Sequence, residues 1–327
     1  MAHELTERED GFVEMAFTGS RDAIWHGLGN ELPEGAPIED WRTASGMDWQ
    51  VLRAPVSFTV GEGIDATTFD FDGREVMYRS DNKAPLSVCS DKFQIVQPSE
   101  ILEFFRDLVA NHGMKLSTAG TLFGGRRFWA LAEMGKEQVI DGVDKVKGNL
   151  LLTTSVDGSS ATTGRFVSTR VVCNNTLTLA MAETGATRLV RRSHHSMFDP
   201  KAVKINLGLI DKSWDKFIGD MRRLSETKMD DRAVREFFED LVFDKAKKPE
   251  EQTWGTVRRL NNLESLYRTG AGADMAYGTA WGALNAVTNM YTHGTGKRDP
   301  SAQFVDSFEG EYAKMKSRAM DELLALA

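Results

Sequence analysis

Cysteine is nearly absent from this sequence: Cys89 and Cys173 are the only two in 327 residues. Two thiols cannot build a disulfide framework and fall short of a cysteine zinc site. Cys173 closes an apolar run and reads as a small buried hydrophobe rather than a reactive thiol. Long hydrophobic runs are missing too. Nothing approaches the roughly 18 apolar residues of a membrane span, and the opening MAHELTEREDGF is acidic where a secretory signal is basic and then apolar. These absences point to a cytoplasmic protein. An overall excess of base is also lacking. Lys and Arg number 40 against 48 Asp and Glu, a net charge of -8, which excludes a protein that coats polyanions by bulk charge.

Familiar catalytic spacings are equally scarce. GTLFGGRR and HGTGKRD lack the glycine and lysine spacing of a phosphate-cradling P-loop. GEGIDA follows the strand-like SFTV, yet no βαβ pattern surrounds it, so it reads as a hairpin turn and not a dinucleotide site. His194 and His195 with Asp199, and the scattered His26, His112 and His293, show no metal-ligand spacing. Ser159 and Ser160 follow the Asp157-Gly158 turn without a nucleophile elbow. No cofactor, metal ligand or catalytic residue is therefore assigned.

What is present is a strong segregation of charge. Residues 1–48 form an acidic N-terminal arm in which Glu4, Glu7, Glu9, Asp10, Glu14, Asp22, Glu31, Glu34, Glu39, Asp40 and Asp48 outnumber Arg8, Arg21 and Arg42. A short helix is expected near Glu39 to Ser45. Within the arm, Trp25 and His26 suit a hydrophobic anchor onto the core, or a base-stacking pair. From Gly164 to Lys204 the balance reverses: Arg165, Arg170, Arg188, Arg191, Arg192, Lys201 and Lys204 face only Glu183 and Asp199.

Residues 49–199 alternate in the manner of strands. WQVLRAPVSFTV and REVMYRSD are separated by DFDG, read as a hairpin turn, and later strands break at Gly-Gly and at Asp157-Gly158. SEILEFFRDLVANHG carries Ile101, Phe104, Phe105, Leu108 and Val109 at helical spacing, with Ser99 as N-cap and Gly113 beyond its end. NTLTLAMAE is read as a second helix, its Asn174 to Thr176 supplying a cap or a phosphate contact. Residues 200–327 are helical throughout, ending in a stripe of Phe304, Phe308, Tyr312, Met315, Ala319, Leu323 and Leu326 begun by Asp299-Pro300. The expected fold is α+β: a largely antiparallel β-rich core crossed by a helix, followed by a helical C-terminal region.

Arginine offers phosphates a planar fork and stacks on bases. Arg126, Arg127, Arg165, Arg170, Arg188, Arg191 and Arg192, with Phe128 and Trp129 as base platforms, thus make a candidate nucleic-acid-binding set. Two other readings stand beside it. In a non-catalytic protein-interaction or assembly module, acidic arms would dock on neighbouring basic patches; in a metal-dependent nuclease, Asp81, Asp91 or Asp157 would hold magnesium.

The ordered blocks IWHGLG, DWQVLRAPV, VMYRSDNKAPLSVCSDKFQIVQ, AGTLFGGRRFWALAEM, LLLTTSVDGSSA, RVVCNNTLTLA and GTAWGALNAVTNMYTH cover nearly the whole chain. They resemble the phage/plasmid-like protein family, a domain of unknown function. That resemblance implies a viral or plasmid origin and a bacterial host cell, and carries no catalytic residues with it. At the level of fold, the chain is similar in outline to the single-strand annealing recombinases RecT, Erf and their Rad-type relatives. The implied partner is single-stranded DNA, bound for strand annealing in recombination or replication by a homo-oligomer, a ring or filament.

Overall fold

A computed structural model describes residues 5–19, 28–170, 172, 175–178, 190–192, 207–294 and 305–327. In chain order its elements are β1 (Met15–Thr18), β2 (Asn30–Leu32), α1 (Ile38–Ala44), β3 (Val51–Val60), β4 (Thr67–Arg79), β5 (Pro85–Ser90), α2 (Pro98–His112), β6 (Lys115–Leu122), β7 (Arg127–Ile140), β8 (Asp144–Ser155), β9 (Thr162–Arg170), β10 (Asn175–Thr178) and β11 (Val190–Arg192), followed by α3 (Leu207–Glu226), α4 (Asp231–Val242), α5 (Trp254–Thr269), α6 (Ala280–Asn289) and α7 (Glu311–Leu326). The class is α+β, and the C-terminal region is helical. No helix among the described residues is long and apolar enough to cross a membrane.

The main sheet runs β10-β9-β8-β7-β6-β1-β2, and β11 shares the outer edge of β9 with β10. All its pairs are antiparallel except β1 with β2. Side chains alternate between its faces. Phe128, Ala130, Leu150, Leu152 and Phe166 look into a large core that also takes Phe105 of α2, Trp214 and Phe217 of α3, Leu263 of α5 and Leu323 of α7. Trp129, Leu151 and Val167 look the other way, into a smaller cluster with Met15, Leu122 and Phe308. A separate sheet, β3-β4-β5, packs beside them.

Local sequence explains several boundaries. GEGIDA is the turn between β3 and β4, and Asp157-Gly158 turns β8 into β9. Helix α2 ends at Gly113, whose φ of 65° is the left-handed conformation that glycine adopts without strain. Its N-cap is Gln97, in a capping box with Glu100, rather than Ser99. Two further readings are corrected. DFDG lies inside β4, where the pairing jumps from Pro55 opposite Glu75 to Val56 opposite Phe71; its Gly73, with φ of 74°, makes a bulge and not a hairpin turn. Asn175–Thr178 is not the start of a helix but strand β10, paired to Val167–Arg170 of β9. β-branched threonines and the preceding antiparallel strand outweigh the capping signal there. The Cys173, Asn174, Trp25 and His26 readings lie outside the described residues, as do Asp299-Pro300 and Phe304.

The acidic segment proves to be built into the core. β1 sits between β2 and β6, and Glu14 immediately before it is fully buried. Its carboxylate accepts Arg79 Nη2 at 2.6 Å, Arg79 Nη1 at 3.0 Å, Arg8 Nε at 2.9 Å and the Thr121 hydroxyl at 2.5 Å. Arg79 also reaches Asp81 at 2.7 and 3.0 Å and lies 4.1 Å from the Trp49 ring centroid. Burial works against the Arg79 charge, but Asp81 and Glu14 outweigh it and hold the guanidinium pKa above its ordinary value. Gly46 has no room for a side chain, since a Cβ there would lie 2.5 Å from Glu14 Cγ. Other acids of the segment pair within the same chain: Glu34 with Lys115, Glu39 with Arg106 and Asp48 with Arg8.

Lys316 of α7 is wholly buried and donates to Ser307 Oγ at 2.8 Å. Burial pushes its pKa down to about 7. An unfolded lysine titrates near 10.4, so between about pH 7 and 10 the unfolded state binds the extra proton. By linkage, stability from this group is complete above the unfolded pKa and is lost as pH falls towards 7. Lys316→Met is therefore expected to be more stable than the parent at pH 7, with the difference shrinking towards pH 10. Denaturant titrations of both proteins across that range test it; a constant difference would contradict the assignment.

Candidate functional site

Period-two geometry gathers a polar cluster on the smaller-core face of the main sheet. Register places Trp129 opposite Thr153, Thr153 opposite Thr163, and Thr163 opposite Arg191. Arg127 lies opposite Ser155, and Leu151 opposite Arg165. Directly paired residues share a face, so Arg127, Thr153, Thr163 and Arg165 converge. Into them reaches Glu309, anchored by its neighbour Phe308, which is buried with Trp129, Leu151 and Val167. Glu309 Oε1 accepts the Thr153 and Thr163 hydroxyls at 2.7 and 3.2 Å. Arg165 Nη2 stands 3.5 Å from the same oxygen, and Arg127 Nη1 3.8 Å from Oε2.

Glu309 stands at long range from both guanidiniums. Tight arginine–carboxylate pairs are bidentate at about 2.7–2.9 Å, whereas here one carboxylate is shared between two forks at longer range. Side chains of Arg127, Arg165 and Glu309 are 16%, 4% and 12% exposed, so the charges they carry are poorly screened by water. Arg127 Nη2 also donates to Ser159 Oγ at 3.0 Å, and Ser159 in turn bonds Asp157. Burial raises the Asp157 pKa, yet the hydrogen bonds of Ser159 and Ser155 and the Arg127 charge hold it below the usual carboxylate range. At the rim, Arg126 is exposed, with Nε bonded to Phe123 O at 3.0 Å. Chemically, the cluster is a donor set for an anion: two planar forks, two hydroxyls and an exposed arginine beside them.

The other sequence candidates separate. Arg170 is five residues from Arg165 on one strand, so it emerges on the opposite face. There it is 3% exposed, its guanidinium lying 2.7 and 2.8 Å from Asp144 and 2.8 Å from Gly272 O. It belongs to the core and contributes nothing to an open groove. A cavity of about 10 Å³ beside it, lined also by Tyr267, Gly272 and Asn285, holds no more than one water. Phe128 and Trp129 are 1% and 4% exposed. Phe128 packs on Trp49 and Trp129 on Gly120, so neither ring offers a face to a base. Arg191 and Arg192 are placed by backbone in β11, opposite Thr163 and Thr162. Arg188 lies outside the described residues.

The carboxylates weighed for magnesium have separate local partners: Asp81 binds Arg79, Asp91 accepts Ser90 Oγ, and Asp157 binds Ser159. Among the described residues no group of three His, Cys, Asp or Glu is arranged for a metal. Sequence reasoning missed Thr153, Thr163 and Glu309. The threonines were within reach, because TTSVDGSSATT folded about Asp157-Gly158 pairs them; Glu309 lies far away in sequence and gave no signal.

Neither the curated proteins nor the solved structures contain a match to this chain. The model of one family does match, over residues 85–320, a span from β5 into α7 that takes in every residue of the Glu309 cluster. The chain thus belongs to the family described as a domain of unknown function, DUF932.

Proposed function

We propose that this chain is a phage- or plasmid-encoded protein that binds single-stranded DNA as a homo-oligomer and promotes strand annealing. The observation that carries the reading is the convergence of Arg127, Arg165, Thr153 and Thr163 on one carboxylate, with exposed Arg126 at the rim. Such a donor set suits a phosphodiester, whose oxygens can accept from planar guanidinium forks and hydroxyls together. In this reading Glu309 occupies the phosphate position in the free protein, and strand entry displaces it. Affinity would come from phosphate contacts and not from base stacking, since Phe128 and Trp129 are buried.

The test is binding of a fluorescent single-stranded oligonucleotide across a salt series, followed by addition of the unlabelled complement. Steep salt dependence and accelerated pairing are expected. Arg126→Glu/Arg127→Glu should weaken binding at least tenfold, and the loss of two phosphate contacts should reduce the log–log salt slope by about 1.4. Glu309→Gln should bind more tightly than the parent. No binding at low salt by any of the three proteins would defeat the proposal.

A further inference from the structure

The β3–β4 hairpin gathers five exposed large apolar side chains, Phe58, Val60, Ile64, Phe69 and Phe71. Beyond the bulge at Gly73, register places Val56 opposite Phe71, Phe58 opposite Phe69, and Val60 opposite Thr67. These residues share one face. Phe58 and Phe69 stack at 5.6 Å, and the exposures of Phe58, Val60, Phe69 and Phe71 are 48%, 56%, 47% and 51%. Ile64 at the tip is completely exposed. The opposite face is polar, with Ser57 across from Asp70 and the Thr59 and Thr68 hydroxyls 2.9 Å apart. A two-stranded ribbon with one unshielded apolar face is marginal alone in water and marks a contact surface.

Charge narrows the kind of partner. Residues 56–73 contain Glu62, Asp65, Asp70 and Asp72 and no Lys or Arg. Four carboxylates around an apolar face repel nucleic-acid phosphates and anionic membranes. They also disfavour face-to-face pairing of two such hairpins, which would bring the two acidic rims together. The occupant must instead combine apolar surface with positive charge.

The chain itself carries that complement. Trp254, at the start of α5, is 75% exposed, and Val257 one turn on is 37% exposed. The Arg258 guanidinium lies 5.4 Å from the Trp254 ring centroid. Gln252 ties the preceding loop to this helix start, accepting from Asp244 N at 3.0 Å and donating to Asp244 O and Lys247 O at 2.9 and 3.2 Å. That loop brings Lys245, Lys247 and Lys248, so residues 244–259 hold five basic side chains against Asp244, Glu250 and Glu251. Hairpin and patch are both exposed within one chain, so they do not cover one another.

We propose that the acidic aromatic hairpin of one copy docks on the Trp254–Arg258 patch of a second copy, deepening the homo-oligomer part of the reading above. Two different surfaces meet in such a contact. It is heterologous, and by repetition builds a ring if the rotation closes and a filament if it does not.

Sedimentation velocity of the protein alone, without nucleic acid, tests this contact separately from strand binding. The parent should assemble with rising concentration. Phe58→Ser/Phe69→Ser removes the hairpin face, and Trp254→Ser/Arg258→Glu removes the patch; each should raise the dissociation constant at least about tenfold, as loss of aromatic anchors does. Both sites are exposed, so circular dichroism should show parental folding. An equimolar mixture of the two variants should form discrete dimers, because one intact hairpin and one intact patch remain. A parent that stays monomeric, variants that assemble like the parent, or a mixture no larger than its components would overturn the proposal. A monomeric parent that still binds oligonucleotide would sink this contact while leaving strand binding intact.

Discussion

Arg79→Met is expected to cost about 3–5 kcal/mol of folding stability, the range found when one partner of a buried ion pair is removed. Total stability of a folded domain is only about 5–15 kcal/mol, so the variant should melt far earlier or fail to accumulate. Glu14 is fully buried, and its carboxylate accepts four hydrogen bonds from Arg79, Thr121 and Arg8 on three separate segments. Without Arg79 the carboxylate keeps Thr121 and the half-exposed Arg8, too little to offset its desolvation. Glu14→Leu alone should also be costly, by removing the buried one of the two carboxylates that Arg79 binds and leaving it Asp81. The double variant Glu14→Leu/Arg79→Met should lose less than the sum of the two, because an apolar pair leaves no buried charge. Denaturant titration of all four proteins measures the coupling; single variants within about 0.5 kcal/mol of the parent would contradict it.

That hub also shows where the sequence was opaque. Residues 1–48 look like an acidic arm because eleven acids stand against three arginines, yet four residues, Met15–Thr18, are enough to enter the main sheet. Composition averages over a segment, whereas burial is decided residue by residue. The helix over 98–112, the turn at GEGIDA and the turn at Asp157-Gly158 were legible because periodicity and turn chemistry act locally. The site was legible only in part. Arg126, Arg127 and Arg165 were chosen for their charge, and the structure does bring Arg127 and Arg165 to one carboxylate. The same charge criterion also selected Arg170, which the pleat turns to the opposite face; Phe128 and Trp129, taken as base platforms because they adjoin Arg126 and Arg127, face the two cores. Alternation along β7 and β9 would have separated them once the strands were granted; nothing local could have supplied Glu309.

The opposite-face position of Arg170 leads to the second large effect. Asp144→Ala should cost about 3–5 kcal/mol, and more than Arg170→Met. Asp144 is 1% exposed and accepts both Arg170 Nε and Trp281 Nε1, the latter at 2.8 Å. Removing it leaves a guanidinium in the core, and arginine cannot shed its proton to escape the desolvation cost. Arg170→Met leaves a carboxylate that retains the Trp281 donor. Melting curves of the two variants test the inequality, which fails if Arg170→Met proves the more damaging. The pair also calibrates any binding experiment on this chain. Lost oligonucleotide affinity in an Arg170 variant would track its unfolded fraction and vanish as a defect once the folded fraction is counted. The exposed rim residue Arg126 should behave in the opposite way, weakening affinity at unchanged melting temperature. Under the proposed function, an arginine chosen from sequence would thus act on the bound strand or on the core according to the face on which its β-strand presents it.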